Sequence, residues 1–141
     1  SEEKGYKVAV KNYNCFSSEN EDGGVYFAPY LSIDIRNSKL FVHYAHGRYG
    51  YWEYCFRYQD SDFMLIGYES FGSQGPTALG KVSINFLIGV RYDDDNVNKY
   101  DDDAEEKFVR KVIKLKKQPL KKLSEIDDFD ELEIERLNTD D

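Results

Sequence analysis

Ser32, Asp34 and His43 are the residue types of a hydrolase triad, and a hairpin register places Ser32 directly opposite His43. A serine attacks an acyl carbon only where an imidazole takes its proton and paired N–H groups receive the oxyanion. No G-x-S-x-G turn accompanies this set and no oxyanion hole is evident, so polar side chains on a solvated strand face explain it. His43 and His46 are the only histidines. Three positions apart on a strand they point to opposite sides, which argues against a zinc pair. Asp94, Asn96, Asn98, Asp102 and Glu105 fall on the first, third, fifth, ninth and twelfth places of a calcium loop. They form a calcium candidate, although Lys99 stands where the sharp turn wants glycine and no entering helix precedes the segment. The competing reading is a solvated acidic loop. Glu53, Asp62 and Glu69 offer the carboxylate types of a glycosidase pair, with Arg57 between them as an ordinary partner. Their separation, which decides that chemistry, is not set by sequence.

Aromatic contact is the other chemistry on offer. The stretch from Phe41 to Tyr58 holds 8 of the 22 aromatics, enough to stack against sugar rings. A second hairpin register sends Trp52, Tyr54, Phe56 and Tyr58 to one face with Phe63 and Leu65, which makes them core. Tyr49 and Tyr51 lie in the turn Gly47-Arg48-Tyr49-Gly50-Tyr51 and have no periodic reason to be buried. Arg48, Tyr49 and Tyr51 are therefore the candidate ligand contacts, for a glycan or a peptide. Cys15 and Cys55 are the only cysteines. They permit one disulfide in an exported protein or two inert thiols elsewhere, and Cys55, mid-strand, lacks the surroundings of a nucleophile.

The elements that position these residues read as strands. Leu31–Ile35 and Leu40–Tyr44 alternate around an Asn37-Ser38 turn, which pairs Ile35 with Leu40, Ile33 with Val42 and Leu31 with Tyr44. The second hairpin turns at Asp60-Ser61 and pairs Tyr58 with Phe63, Phe56 with Leu65, Tyr54 with Gly67 and Trp52 with Glu69, leaving Tyr68 on the opposite face. Gly72 to Pro76 reads as a loop, Lys81 to Tyr92 as one further strand, and Val8 to Tyr13 as another. Asp103-x-x-Glu106 resembles a capping box, and Phe108, Val109, Val112 and Ile113 have helical spacing, so a short helix is favoured there. A strand centred on Ile113 and Leu115 is the alternative. Leu120 to Leu132 reads as a helical turn followed by a tail. The expectation is an all-β single domain over 1–141: an antiparallel meander forming a small sandwich or partly open barrel, with a short C-terminal helical element. Its strand-rich body covers about 7–92 and a charged segment and tail cover 93–141.

Length and charge bound the function. At 141 residues, with 16% aromatic and 33% charged residues and a mean hydropathy of −0.70, the chain is one folded domain. The net charge of −8 and pI of about 4.8 disfavour nucleic acid, despite eight Lys/Arg between Lys107 and Lys122. The acidity lies C-terminal to Tyr92, in blocks that suit a basic partner or a cation. Apolar runs such as Phe86-Leu87-Ile88 fall far short of the ~20 residues that a membrane-spanning helix needs. The chain opens on Ser1, as a trimmed chain or a processed mature chain would.

The string Trp52-Glu-Tyr-Cys-Phe-Arg-Tyr-Gln-Asp-Ser-Asp-Phe-Met-Leu-Ile-Gly-Tyr68, with His46–Tyr51, Ser83–Leu87 and Leu123–Leu132, resembles a group of uncharacterised secreted proteins or lipoproteins of Bacteroides-type bacteria. The resemblance covers roughly Asn12 to Leu132 and implies an address in the bacterial periplasm, at the outer membrane as a lipoprotein, or outside the cell. It implies no activity. The expected function is a non-enzymatic envelope or secreted binding module for a glycan or a protein, working through Gly47–Tyr51 and the adjacent loop Glu69–Gly80. It would need no cofactor unless calcium, and would have neither a membrane span nor a nucleic-acid partner. The alternative is an acidic inhibitor or immunity-type protein that neutralises a basic partner through Asp93–Asp103 and the acidic tail.

Overall fold

A computed structural model describes residues 7–13, 15, 30–127, 129, 132 and 134. Seven strands run in chain order: β1 (Tyr30–Arg36), β2 (Lys39–Ala45), β3 (Gly50–Gln59), β4 (Asp62–Gln74), β5 (Thr77–Asn85), β6 (Val90–Asn96) and β7 (Phe108–Lys114). Each pairs antiparallel with the next, and the sheet stays open, with β1 and β7 as its edges. The fold is therefore an all-β meander. Its helical content among the described residues is confined to 3-10 turns, and the expected C-terminal helical element is of that kind, at Leu123–Glu125 and again at Phe129 and Ile134. None of it is long and apolar enough to cross a membrane.

Local chemistry explains the two tight hairpins. Asn37 and Ser38 have φ of 51° and 61°, and Asp60 and Ser61 have φ of 53° and 65°. Paired positive φ values match the right-handed twist of the flanking strands, and Asn and Asp tolerate that region better than most residues. The β1–β2 register is the one that alternation dictates, with Ile33 opposite Val42 and Leu31 opposite Tyr44.

The β3–β4 register starts as expected, with Tyr58 opposite Phe63 and Phe56 opposite Leu65, and then slips. A bulge between Cys55 and Phe56 places Cys55 opposite Gly67, Tyr54 opposite Tyr68 and Trp52 opposite Ser70. The expected Tyr54–Gly67 and Trp52–Glu69 pairs are overturned, and Tyr68 joins the buried face. An extra residue reverses every later side chain on its strand, and here it turns Tyr68 inward and Glu69 outward.

Four further expectations are corrected. The run from Lys81 to Tyr92 is two strands, because Asn85 Oδ1 accepts from Leu87 N at 2.9 Å and Gly89, with φ of 66°, completes a turn between them. The favoured helix after Asp103 is strand β7. Its partner β6 lines acid against base, Asp94 opposite Arg110 and Asp93 opposite Lys111, which favours pairing over a solvated helix. Strand structure thus continues to Lys114, past the expected end of the strand-rich body near residue 92. Val8 to Tyr13 forms no strand.

One face of the sheet is covered by C-terminal chain. Phe129 rests among Tyr44, Tyr54 and Phe56, with ring centroids at 6.1, 4.7 and 6.2 Å. Ile126, Ile134 and Cys15 complete that cluster. Asn12 Nδ2 donates to Leu123 O at 2.6 Å and Ile126 O at 2.7 Å, while Phe129 N donates to Cys15 O at 2.9 Å. The segment read as a tail is therefore part of the core. On β1 the apolar row is uncovered, with Leu31, Ile33 and Ile35 at 40, 59 and 73% exposure.

Candidate functional site

The turn Gly47–Tyr49 is a 3-10 turn whose position is fixed from both sides. Tyr49 N donates to His46 O at 3.2 Å, and Ser73 Oγ donates to Arg48 O at 2.5 Å from across β4. Tyr49 is left 53% exposed on the rim of a groove of about 410 Å³. Trp52, half-buried, forms the wall behind it, and Asp93 and Asp95 form the opposite wall. Gly72 pairs with Gly80 between the two walls, so the floor there is bare backbone.

Both acids carry a cation. Arg91 Nε lies 2.6 Å from Asp93 Oδ1, and Lys99 Nζ lies 2.6 Å from Asp95 Oδ1, which raises the Lys99 pKa above its ordinary value. An aromatic wall facing oriented carboxylates suits a ligand with an apolar face and hydroxyl or amino donors at its edge.

Tyr51 lies on the other side of the sheet, because side chains alternate from Trp52. It stacks on His43 at 5.1 Å and Phe71 at 5.9 Å. Burial, followed by the negative charge of Glu69, raises its pKa. The expected trio therefore divides: Arg48 and Tyr49 sit on the turn at the groove, and Tyr51 belongs to the open face.

That open face is a ladder of paired charges. Glu53 and Glu69 are direct cross-strand partners, an arrangement that repels unless each finds a cation. Arg36 Nη2 donates to Glu53 Oε1 at 3.0 Å and His43 Nδ1 lies 2.8 Å from Glu53 Oε2. Lys81 binds Glu69, and this bond raises the Lys81 pKa. Of the three expected carboxylates only these two meet, since Asp62 bonds Phe63 N and Ser124 instead. Arg57 bonds Gln59. Ser32 is opposite His43 as expected, but His43 faces Glu53 while Asp34 pairs with Arg36 at 3.0 Å.

The calcium candidate is dispersed. Asp94 receives both Arg110 Nε at 2.8 Å and Arg110 Nη2 at 3.0 Å, which holds its carboxyl below the usual range. Asn96 is buried: its Nδ2 donates to Ala78 O at 2.7 Å and its Oδ1 accepts from Asn98 N at 3.1 Å and Lys107 N at 3.2 Å. Asn98 Nδ2 donates to Glu105 O at 2.8 Å, and Asp102 and Glu105 are exposed. Among the described residues no three His, Cys, Asp or Glu side chains converge as a metal set. The asparagines brace the loop between β6 and β7. Asn96→Ala should therefore lower unfolding free energy by about 1–3 kcal/mol in urea titration, since it strands the buried Ala78 carbonyl and removes the acceptor of two part-buried N–H groups.

The Asp94–Arg110 bond sets a pH dependence. A carboxyl held below its unfolded value adds stability that is present above the ordinary carboxylate range and is lost as pH falls through the folded pKa. Asp94→Asn should be less stable than wild type at neutral pH, and the difference should vanish in strong acid. Paired urea titrations across that range check this.

Cys15 and Cys55 are not joined as a disulfide and lie on opposite sides of the sheet, Cys15 in the core and Cys55 on the open face. Burial pushes the Cys55 thiol pKa up, away from thiolate character. Sequence reading missed the groove because it assigned Trp52 wholly to the core and took Gly72–Pro76 as loop, whereas only Gly75-Pro76 turns there. The signal was Gly72 and Gly80, since glycine inside a strand marks bare backbone. No family model, curated protein or solved structure matches the chain.

Proposed function

We propose that this protein is a non-enzymatic binding module that holds a glycan in the groove between Tyr49–Trp52 and Asp93–Asp95. The observation that carries this reading is the groove itself: an aromatic wall, a glycine floor and a carboxylate wall, with Tyr49 presented on a pinned turn. A pyranose ring offers an apolar face to an indole or phenol and hydroxyl donors to carboxylates. Asp93 and Asp95, each paired with a cation, offer acceptor oxygens rather than net charge, which suits the hydroxyl donors of neutral sugars. The resemblance described above supports an envelope or secreted address as part of the same reading, and no reaction is assigned.

Isothermal titration with neutral β-linked glucose, galactose, mannose and N-acetylglucosamine oligosaccharides tests the proposal. At least one series should bind, and Tyr49→Ala should weaken it about tenfold, some 1.4 kcal/mol, with little salt dependence. Undiminished binding by Tyr49→Ala would sink the reading. A second reading rests on Asp101, Asp102 and Asp103, all exposed at the tip of the β6–β7 loop. It is that of an acidic inhibitor of a basic protein, whose binding should weaken steeply with salt and on neutralising those three residues.

A further inference from the structure

A second cavity, more enclosed and of about 400 Å³, lies at the far end of the covered face from the groove. The chain after β7 makes it. Leu115 N donates to Gly89 O at 2.9 Å, and six residues later Lys121 O accepts from Leu65 N at 2.8 Å. Between these two anchors the segment 116–120 bridges from the β5–β6 turn to β4 and leaves a slot beneath it. Leu65, Phe86, Leu87, Ile88, Leu115 and Leu120 give the slot an apolar side, five aliphatic side chains and one ring, against the polar segment 116–118 and Lys121. Leu87 and Ile88 are 48 and 68% exposed at its mouth, an unusual position for two adjacent large aliphatic residues at a hairpin tip.

The polar lining is of one sign. Lys117 and Lys121 line the slot, and among the described residues no acidic one does, in a chain whose net charge is −8. Clustering cations at the mouth of an aliphatic slot, on an otherwise acidic molecule, is the complement of one amphiphile: an aliphatic tail ending in an anion. From this we infer that the slot is a binding site for a long-chain monocarboxylate of the fatty-acid class, with the acyl chain along Leu65, Phe86 and Leu115 and the carboxylate at the lysines. The site is separate from the glycan groove, so either can fail without the other.

Dodecanoate, titrated below its micellar concentration into the isotopically labelled full chain and followed by amide chemical shifts, tests this. The expected result is saturable shifts confined to 86–89 and 115–121. Lys117→Glu/Lys121→Glu should weaken binding at least ~tenfold through lost attraction and added repulsion. Ile88→Glu, a change at an exposed tip that leaves folding intact, should weaken it as well. Dodecylammonium should shift those amides far less. The inference is overturned if dodecanoate leaves 86–89 and 115–121 unmoved, if dodecylammonium binds equally well, or if an acidic leucine-rich peptide occupies the slot where dodecanoate does not.

Discussion

Gly50→Ala is expected to destabilise the protein severely, by at least about 4 kcal/mol. Gly50 opens β3 with φ of 112°, a left-handed conformation that disfavours any Cβ, and a Cβ there would lie 1.7 Å from Phe71 O and 2.7 Å from Phe71 C. Those are backbone atoms of the neighbouring strand, so no side chain can rotate away, and β3 would have to leave β4 where the two begin to pair. A cost of at least about 4 kcal/mol is a large part of the 5–15 kcal/mol that holds a domain of this size together. Gly47→Ala is the control: φ is 59° but a Cβ would meet nothing within 4 Å, so the cost should be about 1 kcal/mol. Urea midpoints separate the two. Equal, small effects would mean that β3 and β4 do not approach as described. Gly50 also matters to the site, because it is where the chain passes from Tyr49 at the groove to Tyr51 on the open face.

Phe129→Ala is expected to destabilise by about 3–5 kcal/mol, the loss of a fully enclosed aromatic ring plus the cavity it leaves. The ring is 1% exposed and contacts three aromatic side chains from two strands. A residue on a detached acidic tail would change stability by less than about 0.5 kcal/mol on the same substitution. Denaturation in urea therefore decides between a C-terminal segment that is tail and one that is core. Tyr54 adds a directional element, since its hydroxyl donates to Phe129 O at 3.4 Å.

The sequence made the hairpins legible wherever two-residue turns and strict alternation coincide. The β1–β2 register and the tips at Asn37-Ser38 and Asp60-Ser61 follow from period-two patterning and turn residues alone. Where an extra residue enters the ladder, alternation misleads, and Tyr68 and Glu69 exchanged faces for that reason. The acidic and basic blocks at Asp93–Asp95 and Lys107–Lys122 looked like solvated segments because each was read alone. Paired, they are the two strands of one hairpin, with Arg110 on Asp94. Phe129 was hidden by its neighbours: acidic residues on both sides make the segment look like a tail, although one ring is enough to anchor it. The candidate site was half legible. Tyr49 was found because nothing periodic required its burial, whereas Trp52, Gly72 and Gly80 come together only through pairing across three strands.

On the reading proposed above, the groove, and not the open face or the acidic loop, receives the ligand. The most direct test is chemical-shift mapping with whichever oligosaccharide binds in the titrations above. The Trp52 indole and the amides of Tyr49, Gly72, Gly80 and Asp95 should move together and saturate with one affinity. Shifts concentrated instead at His43, Tyr51 and Phe71, or at Asp101–Asp103, would contradict that reading.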